Sequence, residues 1–134
     1  MPKPAILCVD DEGVVLESLE IELRRAFADS YLYEFAESAN QALEIIEELV
    51  QEEINILVIV SDWLMPGMKG DELLLQIHQK YPNIITILLT GQADEKAVAR
   101  AKQQANLHTC LYKPWSTDEL IAAINSGIKK YQYL

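Results

Sequence analysis

The chain has 134 residues, enough for one domain that closes its core by apolar burial alone, and too few for a second domain of ordinary size. Half of the residues are apolar and 24% are charged, which excludes a disordered chain, and no apolar run nears the roughly 20 residues of a membrane helix. A net charge of -10 repels phosphate backbones and anionic headgroups, so no direct contact with nucleic acid or membrane is expected.

The opening stretch MPKPAILCVDDEG lacks the apolar region and cleavage site of a signal peptide, so a cytoplasmic protein is expected. Within it AILCV (5–9) reads as a strand that ends on the acidic group Asp10, Asp11 and Glu12. Val15, Leu19, Leu23 and Phe27 then recur every fourth residue and predict a one-faced helix. YLYEF (31–35) is a second strand, and its Glu34 suits a sheet edge. Ser38 with Gln41 matches a capping box and opens a helix whose apolar positions are Ala42, Ile46 and Val50.

INILVIV (54–60) is the most apolar run, and VSDWLMPGMKG (60–70) follows with a carboxylate, Asp62, at its end. Leu73, Ile77 and Tyr81 predict a third helix, and IITILLT (84–90) a fourth strand. The helix near ADEKAVARAKQQA has mainly alanine on its apolar positions and is expected to be loosely held. TCLY (109–112) is the last strand; Ser116 with Glu119 caps a last helix bearing Leu120, Ile124 and Ile128. Cys8 and Cys110 lie in short apolar runs far apart and read as buried free thiols, and His78 and His108 as surface residues without metal-ligand spacing.

Alternating strands and helices imply right-handed crossovers, hence an α/β fold with a parallel sheet covered by helices on both faces. In such folds sites form beyond the carboxyl ends of the strands, and the residues there are Asp10, Asp11, Asp62, Thr90 and Lys113. Crowded carboxylates repel one another and invite a divalent cation; an all-oxygen set suits magnesium, whereas zinc would normally take His or Cys. A hydroxyl and an ammonium facing that cluster suit a phosphoryl group, with Asp62 as nucleophile. Singly, each feature has a plainer reading: the acidic pair as a helix N-terminus, Thr90-Gly91 as a turn, Lys113-Pro114 as a solvated loop. Their coincidence on one sheet edge favours the chemical reading.

ILCVDDE, VSDWLMPGMKG, ILLTG and LYKPW, in this order and spacing, resemble the receiver domain of two-component response regulators from about residue 5 to 128. The resemblance implies a flavodoxin-like (βα)5 sandwich with a central five-stranded parallel sheet of order 2-1-3-4-5. It implies one receiver domain over 1–134, with no output domain in this chain. It also implies phosphorylation at Asp62, magnesium (or manganese) held by Asp10, Asp11, Asp62 and the Leu64 backbone carbonyl, and phosphoryl binding by Thr90 and Lys113, with a cis Lys113-Pro114 bond. The implied donor is a histidine kinase or histidine phosphotransfer protein. The implied output is a partner or fused output domain reached through the face of the fourth helix, fifth strand and fifth helix, with room for a phosphorylation-dependent dimer.

This chain departs from the family pattern at two places. The usual aromatic switch position is Cys110, whose thiol cannot fill an aromatic's volume; Tyr112 and His108, of the same strand parity, are candidates to substitute. Two positions after Asp62 stands Leu64, which offers water no hydrogen bond, while Gln92 is polar, so slow self-dephosphorylation is expected. The expected role is a switch that assists its own phosphorylation and turns over no external substrate. The alternatives are a phosphorylation-independent module with this fold or, less well matched, a haloacid-dehalogenase-type phosphatase, whose Asp-x-Asp motif is absent after the first run.

Overall fold

The computed structural model describes residues 3–91 and 95–132. In chain order it contains β1 (Ala5–Val9), α1 (Gly13–Phe27), β2 (Leu32–Ala36), α2 (Ala39–Gln51), β3 (Ile56–Asp62), α3 (Gly70–Lys80), β4 (Ile85–Thr90), α4 (Glu95–Gln104), β5 (Thr109–Tyr112) and α5 (Thr117–Gln132). A short 3-10 turn, Ala28–Ser30, joins α1 to β2. The sheet is parallel in the order β2-β1-β3-β4-β5, so the three most apolar runs are central and the run with Glu34 is an edge, as expected.

Strand side chains alternate between two cores. Leu7, Ile59 and Leu88 pack with Ala42, Ile46, Leu73, Ile77 and Val98 on the face covered by α2, α3 and α4. Ile6, Cys8, Val58, Val60, Ile87 and Leu89 pack with Leu16, Leu19, Leu23, Leu120, Ile124 and Ile128 on the face covered by α1 and α5. The β1–β3 register shifts between Ala5 and Ile6, which lets Ile56 share a face with Ile59 despite their odd spacing. The capping boxes are present in part: Ser38 Oγ accepts from Gln41 N and Ser116 Oγ from Glu119 N, while Gln41 Oε1 accepts from Glu37 N rather than from the cap residue.

The expectations for Val50, Val15, His108 and His78 need correction. A spacing of four drifts about 40° per step around a helix, so Val50 ends up 43% exposed and Leu49 takes the buried place on α2. For the same reason Leu16, not Val15, leads the buried stripe of α1. His108 is half-buried rather than a surface residue, with Nε2 2.8 Å from Ser126 Oγ of α5; burial and nearby Lys130 hold its pKa below the ordinary value. His78 is also half-buried.

Candidate functional site

β3 runs on to Asp62, so Ser61 and Asp62 are paired inside the sheet, Ser61 with Val9 and Asp62 with Leu89. The chain leaves β1 toward β2 on one side and returns as β3 on the other. The crevice between the carboxyl ends of β1 and β3 is therefore the topological switch point, where ligands of open α/β sheets bind. Asp10, just past β1, and Asp62, at the end of β3, are both buried there, while Asp11 is exposed at the rim.

Lys113, just past β5, reaches this crevice and places Nζ 2.9 Å from Asp62 Oδ1 and 3.3 Å from Asp10 Oδ2. Its backbone N donates to Thr90 O at 2.8 Å, which locks the two strand ends together, and the Lys113-Pro114 bond is cis. Thr90 is buried at the end of β4. Asp10 has a second duty: its Oδ1 accepts from Glu12 N at 2.9 Å at the start of α1, so the plainer reading of this residue also holds.

Asp10, Asp11 and Asp62 each offer a carboxylate oxygen, and these atoms lie within 4.8 Å of one another. Burial raises the Asp62 pKa; the hydrogen bond from Lys113 opposes the rise, and Asp10 and Asp11 add to it. Burial acts to lower the Lys113 pKa but is outweighed by Asp62 and Asp10, so it is raised overall. One ammonium shared by two buried carboxylates, with a third beside them, leaves the crevice negative. Hard oxygen donors around a net negative centre fit a magnesium-type cation. A cleft of about 220 Å³, lined by Glu12, Asp62, Trp63, Leu64, Thr90, Gly91 and Lys113, opens above the cluster. A larger cavity of about 480 Å³ lies at the opposite end of β3, lined by Val50, Asn55 and Tyr81 among others, away from these groups.

The other sequence candidates are dispersed around the cleft. Leu64 lines it with a side chain 57% exposed. Cys110 is a free thiol but only half-buried, unlike the buried Cys8, which corrects the reading of both as buried; it packs on the face that holds Leu88, and burial raises its pKa. Of its two proposed substitutes, Tyr112 is 54% exposed and His108 precedes β5 and is engaged by Ser126 of α5. Gln92 lies outside the described residues.

Two carboxylates that brace the site were not legible in the sequence. Glu22 of α1 accepts from Trp115 Nε1 at 3.2 Å and from Thr117 Oγ1, pinning the segment after Lys113. Asp71 of α3 accepts from Trp63 Nε1 at 3.0 Å and from Arg100 of α4 at 2.8 Å. Both join residues distant in sequence, and no local pattern marks them.

Comparison with known proteins agrees with this geometry. Residues 6–125 match the family model described as response regulator receiver domain. The chain is 33% identical over 132 residues to the DNA-binding transcriptional regulator NtrC of Escherichia coli K12, covering 98% of this chain and 26% of that protein. It thus spans about a quarter or less of the length of the curated relatives it matches. Among solved structures, the signal receiver domain of an HD domain-containing protein from Pseudomonas fluorescens Pf-5 superposes with TM-score 0.87 at 32% identity, covering 98% of this chain and 99% of that one. The beryllofluoride-activated NtrC4 receiver domain dimer superposes with TM-score 0.81 at 26% identity, covering 95% and 98%.

Proposed function

The chain belongs to the family of response regulator receiver domains, and from that premise we propose that it is a switch driven by phosphorylation of Asp62. The observation that carries this reading is the shared placement of Lys113 against Asp62 and Asp10 at the mouth of the 220 Å³ cleft, with Thr90 on its wall. Asp62 Oδ would attack the phosphorus of a phosphohistidine on a histidine kinase or phosphotransfer protein. An O–P bond forms, the P–N bond breaks, and the histidine nitrogen leaves as neutral imidazole after taking a proton. Lys113 then exchanges its contact with the carboxylate for one with a phosphoryl oxygen, and the Thr90 hydroxyl serves another.

Receiver domains bind magnesium at their acidic pocket. In this chain Asp10, Asp11, Asp62 and the Leu64 carbonyl would hold it, and when bound it would offset charge on the phosphoryl oxygens while Asp62 attacks the phosphorus. This is a phosphoacceptor family rather than a family of enzymes acting on external substrates, and the chain would consume one phosphoryl group per activation. The full acid, hydroxyl and lysine set favours this over a phosphorylation-independent module.

The output would be read from the face of α4, β5 and α5 by a partner, a fused domain or a second copy, in the cytoplasm where the kinase operates. Relatives with this domain include a DNA-binding regulator and an HD domain-containing protein, so the receiver does not dictate the output. No helix among the described residues is long and apolar enough to cross a membrane.

The test is intact-mass analysis after incubation with magnesium and acetyl phosphate. A single phosphoryl adduct on the parent chain and none on Asp62→Asn is expected; no adduct on the parent under any donor condition overturns the proposal.

A further inference from the structure

Trp63 directly follows Asp62, yet its side chain is held from α3 and, through α3, from α4. Its indole Nε1 donates to Asp71 Oδ1 at 3.0 Å, and Arg100 Nη2 donates to Asp71 Oδ2 at 2.8 Å. The Asp71 side chain is 3% exposed, whereas that of Arg100 is 54% exposed. A surface ion pair contributes little, but a buried carboxylate stripped of its donors is costly, so this contact is anchored at its Asp71 end.

The rest of Trp63 is equally constrained. Its backbone N donates to Leu89 O and its carbonyl accepts from Gly70 N, both at 2.8 Å, while Lys69 Nζ sits 5.1 Å from the ring centre. Any displacement of the Asp62–Trp63 segment therefore loads the Asp71 hydrogen bond. On the other side, α4 buries Ala97, Val98 and Ala101, two of which carry only a methyl group. Small side chains remove little apolar area from water, so the Arg100 contact adds a directional hold to a thin apolar seam between α4 and α3.

We propose that Asp71 is a positioning residue that couples Asp62 to α4. One oxygen sets the Trp63–Leu64 wall of the cleft through the indole, and the other sets α4 through Arg100. A change at Asp62 that shifts Trp63 thus weakens or re-aims the hold on α4, and by linkage a partner that binds one arrangement of α4 changes the affinity of the cleft for its ligand by the same factor that the ligand changes the partner's. The coupling rests on Asp62 being the phosphoryl acceptor.

The experiment is amide exchange of residues 95–104 with and without beryllofluoride and magnesium, in the parent chain, Trp63→Phe, Arg100→Met and the double variant. Trp63→Phe removes the indole donor and keeps an aromatic ring in its place, and Arg100→Met removes the guanidinium donor and its charge and keeps an unbranched stem. Each single variant is expected to reduce the ligand-induced change by about threefold or more, and the double variant no further, because both act through one carboxylate. A ligand-induced change that is absent in the parent, that neither single variant reduces, or that falls independently in the double variant overturns the coupling. Acetyl phosphate labelling of the same samples separates the two readings. A labelled parent with an α4 response indifferent to both variants removes the coupling alone; a parent that takes neither phosphoryl nor beryllofluoride removes both.

Discussion

Lys113 Nζ lies 2.9 Å from Asp62 Oδ1, bringing the end of the last strand onto the end of the central one. The ammonium is shared with Asp10, and burial still leaves the Asp62 pKa raised. Between the ordinary carboxylate value of 3.8 and that raised value, the folded chain binds more protons than the unfolded one. Stability from this group is therefore present below the ordinary value and lost as pH rises through the folded pKa. Asp62→Asn should melt a few degrees above the parent at neutral pH, with the gap closing in acid; equal melting temperatures at neutral pH by scanning calorimetry would contradict this.

Magnesium should stabilise the folded chain by neutralising the same cluster. At a concentration a hundredfold above its dissociation constant the gain is about 2.7 kcal/mol. Asp11 is exposed and contributes to the cluster without a core role, so Asp11→Asn should fold normally and lose most of this gain. The gain should also shrink as pH falls, because protons compete for Asp62. Thermal shifts across a magnesium series decide it, and a full shift in Asp11→Asn would remove that residue from the metal site.

Leu64 presents an aliphatic side chain at the cleft mouth, 57% exposed, and cannot orient water. Leu64→Asn should shorten the phosphoryl lifetime several-fold with little effect on stability. Loss of the adduct with time, followed by intact mass, is the measurement; an unchanged lifetime would show that water is controlled elsewhere.

Gly70 starts α3 so close to Asp62 that an added Cβ would lie 2.1 Å from the Asp62 carbonyl oxygen and 2.9 Å from Trp63 Cα. Alanine is the better helix former by about 1 kcal/mol, yet a collision with backbone cannot be relieved by a side-chain rotation. Gly70→Ala should destabilise by about 1–3 kcal/mol and slow phosphorylation. A urea midpoint at or above the parent's would show that the loop yields freely.

Thr86 is buried in β4, and its Oγ1 has no hydrogen-bond partner among the described residues. Its near-isosteric replacement Thr86→Val removes that unmet desolvation and should stabilise by about 1 kcal/mol without altering phosphorylation. Unchanged or lower stability in urea would mean that the hydroxyl has a partner in solution.

The order of strands and helices, the central position of the apolar runs and the five residues at the strand ends follow from the sequence. Periodicity and charge are local properties, and the parallel crossover rule converts them into one edge. Reading a helix face by fours alone misplaces Val50 and Val15, because the stripe advances around the axis and Leu49 and Leu16 fall nearer its centre. Only the tertiary structure decides which distant groups meet: Glu22 with Trp115, His108 with Ser126, and Trp63 with Arg100 through Asp71. A polar contact between elements depends on helix rotation, side-chain reach and burial together, and the pattern within any one segment carries none of these.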